Sequence, residues 1–289
     1  MNSNKNPVII GIGELLWDVF PEERKAGGAP VNFVYHATAL GAQGYAISAV
    51  GNDLLGDEIV ELIDKIGVNH FIAKVDHPTG IVNVQLNQGI PTYEIVENVA
   101  WDYIPLTTQI ENVAKQADAV CFGTLAQRNS ISRNTIREFL ALLPQEAHKI
   151  LDINLRESFY SHELIEESIQ ICNILKLNDE ELEVLKDMFS IKALDDREAC
   201  KWLIRTYNLK YLILTAGSDY SMVFSSEIVS FLNTPKVNVV DTVGAGDSFT
   251  GAFITSLLQG QSLENAHGIA VERAAAVCGV AGAWFTEVE

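Results

Sequence analysis

Basic residues are scarce: Lys and Arg number 20 against 38 Asp and Glu in 289 residues, a formal net charge of −18. Such a surface repels polyanions, which excludes nucleic acid and anionic membranes as partners. Any phosphate must be held locally, by helix N-termini and a few placed cations. Cysteine is scarce too. Cys121, Cys172, Cys200 and Cys278 are far apart and form no C-x-x-C pair, so neither a disulfide framework nor a zinc site is expected, and reduced thiols fit the cytoplasm. The six histidines form no H-x-x-x-H pair. No apolar run approaches the roughly 18 residues of a membrane span. The opening MNSNKNPVII lacks a basic segment followed by an apolar stretch long enough for export, so a cytoplasmic location is expected.

What is present reads as α/β. Short apolar runs at Val8–Gly13, Tyr45–Val50, Ala119–Gly123, Lys149–Asn154, Ile174–Asn178 and Tyr211–Ala216 predict buried strands. Helical periods fall between them at 31–40, 54–66, 132–143, 161–172, 180–188 and 195–206, with Pro30 at a start and Gly41 and Gly67 at stops. This alternation predicts a mainly parallel sheet covered on both faces, in one domain spanning 1–289.

The segment 79–97 departs from the pattern. Val82, Val84 and Leu86 alternate with Asn83, Gln85 and Asn87, and Tyr93 and Ile95 resume the alternation after Asn87-Gln88-Gly89. That is a half-exposed hairpin, either a surface ornament or a cover for a site or a second subunit.

The nine residues DTVGAGDSF, 241–249, bring two acids to a glycine turn just before a helical pattern. Gly244 and Gly246 let backbone N–H groups approach an anion, and the helix dipole adds positive potential. The same field is expected to hold Asp247 ionised as a proton acceptor. A cradle with a carboxylate at its lip suits phosphoryl transfer to an alcohol; a plain helix cap is the other reading these residues allow. No Gly-Lys-Ser/Thr follows, so this is no Walker A loop. Gly11-Ile-Gly13-Glu-Leu-Leu16 is a partial dinucleotide fingerprint whose third glycine is missing.

The string closely resembles the second signature, D-T-x-G-A-G-D-x-F, of the ribokinase-like (PfkB) carbohydrate kinases. The resemblance spans nearly the whole chain. Gly27-Gly28-Ala29-Pro30-Val31-Asn32 with Leu40-Gly41 is similar to the first signature, and GELLWD (13–18), AWD (100–102) and FGTLAQR (122–128) are similar to bacterial fructokinases. Asp152-Ile-Asn-Leu-Arg156 resembles D-x-N-x-R, and Asn178-Asp-Glu-Glu181 resembles N-x-x-E.

The resemblance implies a three-layer α/β/α domain with a small β lid contributed mainly by 79–97. Asp247 would be the base, with Gly244, Ala245 and Gly246 as anion hole. Asp18, Gly27, Gly28, Asn32, Tyr93 and Arg156 would meet the sugar. Asn178, Thr215, Gly217, Gly244 and Gly246 would meet ATP, although Tyr220 stands where a second glycine is usual. Glu181 would hold Mg2+ through water, and Asp241 with 277–282 would border a K+ site. The implied activity is ATP-dependent conversion of D-fructose to fructose 6-phosphate; the apolar residues on both strands of the hairpin, which would otherwise face water, further suggest a homodimer joined through the lid. Another sugar or nucleoside kinase (ribose, 2-keto-3-deoxygluconate) and a non-catalytic sugar or nucleotide sensor are the alternatives.

Overall fold

The computed structural model describes residues 6–87 and 90–285; the hairpin tip Gln88-Gly89 and the side chains of 85–93, Tyr93 included, fall outside that description. Nine strands form one sheet in the order β13 (Val229–Asn233), β12 (Tyr220–Phe224), β11 (Tyr211–Ala216), β10 (Ile174–Asn178), β9 (His148–Asp152), β8 (Ala119–Gly123), β1 (Val8–Ile12), β4 (Gln43–Gly51) and β5 (Asn69–Val75). Neighbours are parallel from β11 to β5. At the other end β11, β12 and β13 pair antiparallel. The sheet is therefore mainly parallel, as its buried apolar runs predict.

Alternation along the strands separates two apolar layers. Ile10, Val120, Leu151 and Leu175 pack with α3 (Thr108–Ala114), α4 (Ser130–Ala141), α5 (His162–Ile171), α6 (Asp179–Met188) and α7 (Asp196–Tyr207). Ile9, Cys121, Ile150 and Ile174 face the opposite layer, made of α1 (Ala29–Ala39), α2 (Leu54–Lys65), α8 (Ala245–Leu258) and α9 (Leu263–Cys278). This is the three-layer α/β/α domain. Its parallel strands bring the loops after β1, β8, β9 and β10 to one edge, where open α/β sheets bind ligands.

A second sheet rises from that edge, in the order β3 (Arg24–Gly27), β2 (Leu16–Val19), β6 (Gly80–Asn87), β7 (Ile90–Ile95). The lid is thus twice the expected hairpin. Strands β2 and β3 have four residues each and contain Asp18, Arg24 and Lys25, so period and apolar content do not reveal them. Strand β2 pairs parallel with β6, placing Asp18 beside Val82, and antiparallel with β3, placing it beside Lys25.

The lid is rooted by hydrogen-bonded polar groups. Asp53 caps α2 through Gly56 N at 2.8 Å and also accepts from Thr79 N at 2.8 Å and Thr79 Oγ1 at 2.6 Å. Where β7 ends, Arg128 Nη2 donates to Val96 O at 2.6 Å while the guanidinium forks onto Asp102 at 2.8 and 2.9 Å. The same guanidinium lies over the Trp101 ring at 3.9 Å and over the Phe159 ring at 4.6 Å. Val82, Val84 and Ile95 are buried in the core of their own chain, beside Val99 and Trp101. Among the described residues, then, the hairpin does not offer the water-facing apolar stripe that suggested a lid-to-lid homodimer.

Arg128 and Asp102 have side chains only 6% and 2% exposed, so removing one strands the other's charge in the core. Arg128→Leu is expected to cost about 3–5 kcal/mol in urea unfolding. A loss under about 1 kcal/mol would show that the pair does not hold the lid root.

Candidate active site

Helix α8 opens on the glycine turn. Gly244 is its N-cap in the left-handed region (φ 77°), and Asp247 lies in the first turn. Ser248 N closes onto Gly244 O at 2.8 Å, which leaves the amides of Gly246 and Asp247 at the end of the helix, where no intrahelical acceptor exists. Only glycine fits at 244. Besides its φ, a Cβ there would lie 2.5 Å from the Cβ of Ala283, in the loop after α9.

Asp247 Oδ2 accepts from Asn32 Nδ2 at 2.8 Å. Asn32 is 3% exposed, and its Oδ1 is buried with no partner among the described residues. The polar residue in the apolar α1 therefore meets Asp247, and its orphaned acceptor is suited to a hydroxyl donor. Burial raises the Asp247 carboxyl above the ordinary carboxylate range, while the Asn32 hydrogen bond and the Lys176 and Arg156 charges pull it down. The helix field expected to hold it ionised is thus opposed by desolvation, the largest influence on this carboxyl.

Two charged residues beside Asp247 escaped the sequence reading. Glu14 is 4% exposed and accepts from Ala29 N at 3.2 Å, and burial pushes its carboxyl up to about 7. Lys176 lies 7% exposed on β10 with Nζ 3.2 Å from Asp152 Oδ1. Burial, opposed by Lys176, raises Asp152 to about 7. Each is legible in retrospect as a charge inside an apolar run, IIGIGELL and ILKLN.

The loop after β9 displays Arg156 between two left-handed residues, Asn154 (φ 44°) and Glu157 (φ 46°). Arg156 is exposed, and its charge acts on Glu14, Asp18 and Asp247. Glu181 braces this loop, with Oε1 accepting from Leu155 N at 2.9 Å and Oε2 from Asn178 N at 2.8 Å. Asn178 caps α6 in return, Oδ1 accepting from Glu181 N at 2.7 Å. These two residues thus form a capping box, a structural duty that spacing alone did not disclose.

From the lid side, a Cβ on Gly27 would lie 3.1 Å from Asp18 Oδ2, and one on Gly28 (φ 135°) would lie 2.4 Å from Glu14 O. Burial raises the Asp18 carboxyl, and Arg156 and Lys25 oppose it. Lys25 Nζ reaches to 3.8 Å from Asp241 Oδ2, so the lid face bearing Asp18 looks onto the glycine turn. Asp241 also accepts from Val243 N at 3.1 Å and Gly282 N at 3.0 Å, joining the turn to the loop after α9.

Thr215 is in register with Asn178 at the end of β11, and Gly217 follows in a left-handed turn (φ 46°). Tyr220 stacks on Phe231 at 5.4 Å, across the β12–β13 pair. Asn32 thus bonds Asp247, the charge of Arg156 reaches Glu14, Asp18 and Asp247, and Gly27 and Gly28 lie against Asp18 and Glu14, so these residues gather at one edge of the sheet. Thr215 and Gly217 stand beyond β10, on its other side. Chemically, a desolvated carboxylate beside free helix amides can accept a hydroxyl proton while the amides hold an anion.

The model of the pfkB family of carbohydrate kinases matches residues 13–288. A sugar kinase of Pyrococcus horikoshii is 27% identical over 276 residues, covering 89% of this chain and 84% of its own. Its crystal structure in complex with ATP superposes with a TM-score of 0.81 at 26% identity, over 96% of this chain and 94% of that one. A fructokinase of Rhizobium leguminosarum is 26% identical over 268 residues, 86% of this chain and 79% of its own. A 2-dehydro-3-deoxygluconokinase of Thermoproteus tenax is 28% identical over 269 residues, 90% of this chain and 81% of its own. The chain belongs to the pfkB family of carbohydrate kinases, phosphotransferases that act on a sugar hydroxyl.

Gly244 and Gly217 separate backbone strain from crowding, because both have positive φ but only Gly244 faces Ala283. Gly217→Ala should cost about 1 kcal/mol, the left-handed penalty alone. Gly244→Ala should cost at least about twice that in urea unfolding. Equal costs would mean that the Ala283 loop does not support the turn.

Proposed function

We propose that this pfkB-family kinase transfers the γ-phosphoryl group of ATP to D-fructose, giving fructose 6-phosphate and ADP. The observation that carries the chemistry is Asp247, set in the first turn of α8 and held by Asn32. The sugar hydroxyl gives its proton to Asp247 as its oxygen attacks the γ-phosphorus. The bond from that phosphorus to the β–γ bridging oxygen breaks, and its electron pair leaves with ADP. Amides of the 244–247 turn donate to the oxygens of the migrating group. Asn32 orients the Asp247 carboxylate, and Asp18 accepts from distant hydroxyls.

Two ions fit the residues. Among the described residues no cluster of three His, Cys, Asp or Glu side chains holds a metal by itself. Both Glu181 oxygens are already bonded to backbone amides. That suits Mg2+ bound mainly by nucleotide phosphates, with Glu181 reached through water. Bound Mg2+ would neutralise phosphate charge. Asp241, bonded to both Val243 N of the turn and Gly282 N, supports the reading that a K+ site borders the turn.

Fructose is supported by the fructokinase-like FGTLAQR and AWD segments and by the Rhizobium relative. A second reading, 2-keto-3-deoxygluconate, has its own observation: exposed Arg156 faces the cleft and suits a sugar-acid carboxylate. The deciding experiment is a coupled ADP-release screen over fructose, 2-keto-3-deoxygluconate, ribose, glucose and nucleosides. Turnover of the sugar acid in preference to fructose would replace the substrate and keep the mechanism.

Asp247→Asn should lower kcat by about 100- to 10,000-fold, with ATP and sugar binding within about threefold. A variant within threefold of wild-type kcat would remove the base. Asp18→Ala should lower kcat/KM for the sugar by at least about a hundredfold, from two lost charge-assisted hydrogen bonds, and leave ATP affinity unchanged. Loss of ATP binding instead would exchange the two pockets. Potassium should raise kcat relative to tetramethylammonium at equal ionic strength; equal rates would remove the K+ site.

A further inference from the structure

Strand β10 carries Ile174 and Lys176 on its α8-facing side, and Leu175 and Leu177 on the other. The lysine thus occupies a core position beneath the glycine turn. Its Nζ is 3.2 Å from Asp152 Oδ1 and so near the turn that a Cβ on Gly246 would lie 3.0 Å from it. An ammonium has three protons to donate; among the described residues the bond to Asp152 is its one side-chain hydrogen bond. Pairing with Asp152 alone does not explain its placement, since it also feels Glu181 and Asp247. A buried pair is weak evidence of stabilisation in itself.

We propose that Lys176 is a positioning residue for phosphoryl transfer: Asp152 holds its ammonium against Gly246, where it fixes the anion-binding turn and sets a positive charge beneath the Asp247 carboxylate. The inference rests on the phosphoryl-transfer reading. Lys176 does not take the hydroxyl proton; it favours the carboxylate that does. Burial raises Asp247, and the cationic neighbours that oppose this are Lys176 from β10 and Arg156 from the loop after β9. The other groups around it are Asn32 of α1, Glu14 before β2, Cys121 of β8, Asp152 of β9 and, next to Asp152 and Lys176, Glu181 of α6. Burial keeps the Cys121 thiol neutral. Arg156 is exposed to solvent and therefore screened, whereas Lys176 is not.

Losing a positive charge raises a neighbouring carboxylate. Lys176→Met should therefore move the acid limb of kcat/KM to higher pH by about one unit, and lower kcat at least about tenfold at neutral pH. Because Lys176→Met strands Asp152, the same step is also made in an Asp152→Asn background, where no buried carboxylate is left unpaired at 152. The upward movement should appear in both backgrounds. A lysine that only neutralises Asp152 would give lower activity at every pH with an unmoved limb, and that result overturns the proposal. Titration of 13C-labelled Asp, with Asp247 assigned through Asp247→Asn, gives a readout independent of turnover. Asp247 should titrate higher in Lys176→Met. If that shift appears but the wild type releases ADP with no sugar, the kinase reading fails and the charge effect stands. If the wild type turns over and neither limb nor resonance moves, Lys176 is structural.

Discussion

The active cleft depends on how closely α1 and α8 approach. A Cβ on Gly251 of α8 would lie 2.7 Å from the carbonyl of Phe33 in α1, so a larger residue would push the helices apart. That contact brings Asn32 within 2.8 Å of Asp247, linking the helix that opens on Gly27 and Gly28 to the helix that opens on the 244–247 turn. One turn further along α1, His36 Nε2 bonds Ala283 O at 2.8 Å. Its Nδ1 must accept, because Arg273 Nε donates to it at 3.0 Å. The proton therefore sits on Nε2, and burial, which lowers this imidazole to about 4, keeps it neutral at physiological pH. Ala283 is the residue packed against Gly244. The same helix thus sets Asp247 directly and the glycine turn through the loop beneath it.

Around this frame the charges are arranged against the overall sign. The chain is strongly acidic, yet Lys25, Arg156 and Lys176 reach the cleft from three elements. Four acids stand there as well, Glu14, Asp18, Asp152 and Asp247, all raised chiefly by burial. Carboxylates grouped in a desolvated cleft repel one another, and a phosphate adds more negative charge. Few fixed cations and backbone amides are therefore the means of admitting it. Amides suit the task because they bring no counter-charge that must be desolvated when the cleft is empty.

Much of this was legible from residue order. Strands Ala119–Gly123, Ile174–Asn178 and Tyr211–Ala216 lie where their apolar runs predict. The turn at 244–247 is a helix start, as its glycines imply. What escaped has physical reasons. Strands β2 and β3 are too short and too charged for periodicity, and β2 pairs with β6 across about sixty residues of chain, which no local pattern encodes. Lys176 and Glu14 were absorbed into apolar runs because a sequence pattern does not say which face of a strand looks onto a ligand. Asn178 and Glu181 were legible as a motif, but the capping box they form is revealed only by their bonds to Leu155 and to each other. The hairpin's alternation suggested a homodimer without saying which apolar residues have partners in their own chain; among the described residues Val82, Val84 and Ile95 are buried within one chain.

The lid's construction bears on how the sugar is oriented. Strand β2 starts four residues after β1 ends, so Asp18 is tied to the central sheet by a short connection. Its neighbour β6 begins at Thr79-Gly80, where Asp53 holds both the backbone and the hydroxyl of Thr79. The adjoining β7 ends at Val96, held by the buried Arg128, while Ile95 N donates to Glu157 at 3.1 Å. Glu157 follows Arg156 directly, so one loop contacts the lid root and presents a cation to the cleft. With three of its strands rooted, the lid carries Asp18 as a fixed part of the cleft more than as a swinging gate. Asp18 and Asp247, the proposed hydroxyl acceptor and base, are then held relative to each other before substrate arrives. In the proposed reaction such preorganisation would lower the entropy lost in orienting the reacting hydroxyl, and it would make the lid root, far from the transferred phosphoryl group, part of what determines turnover.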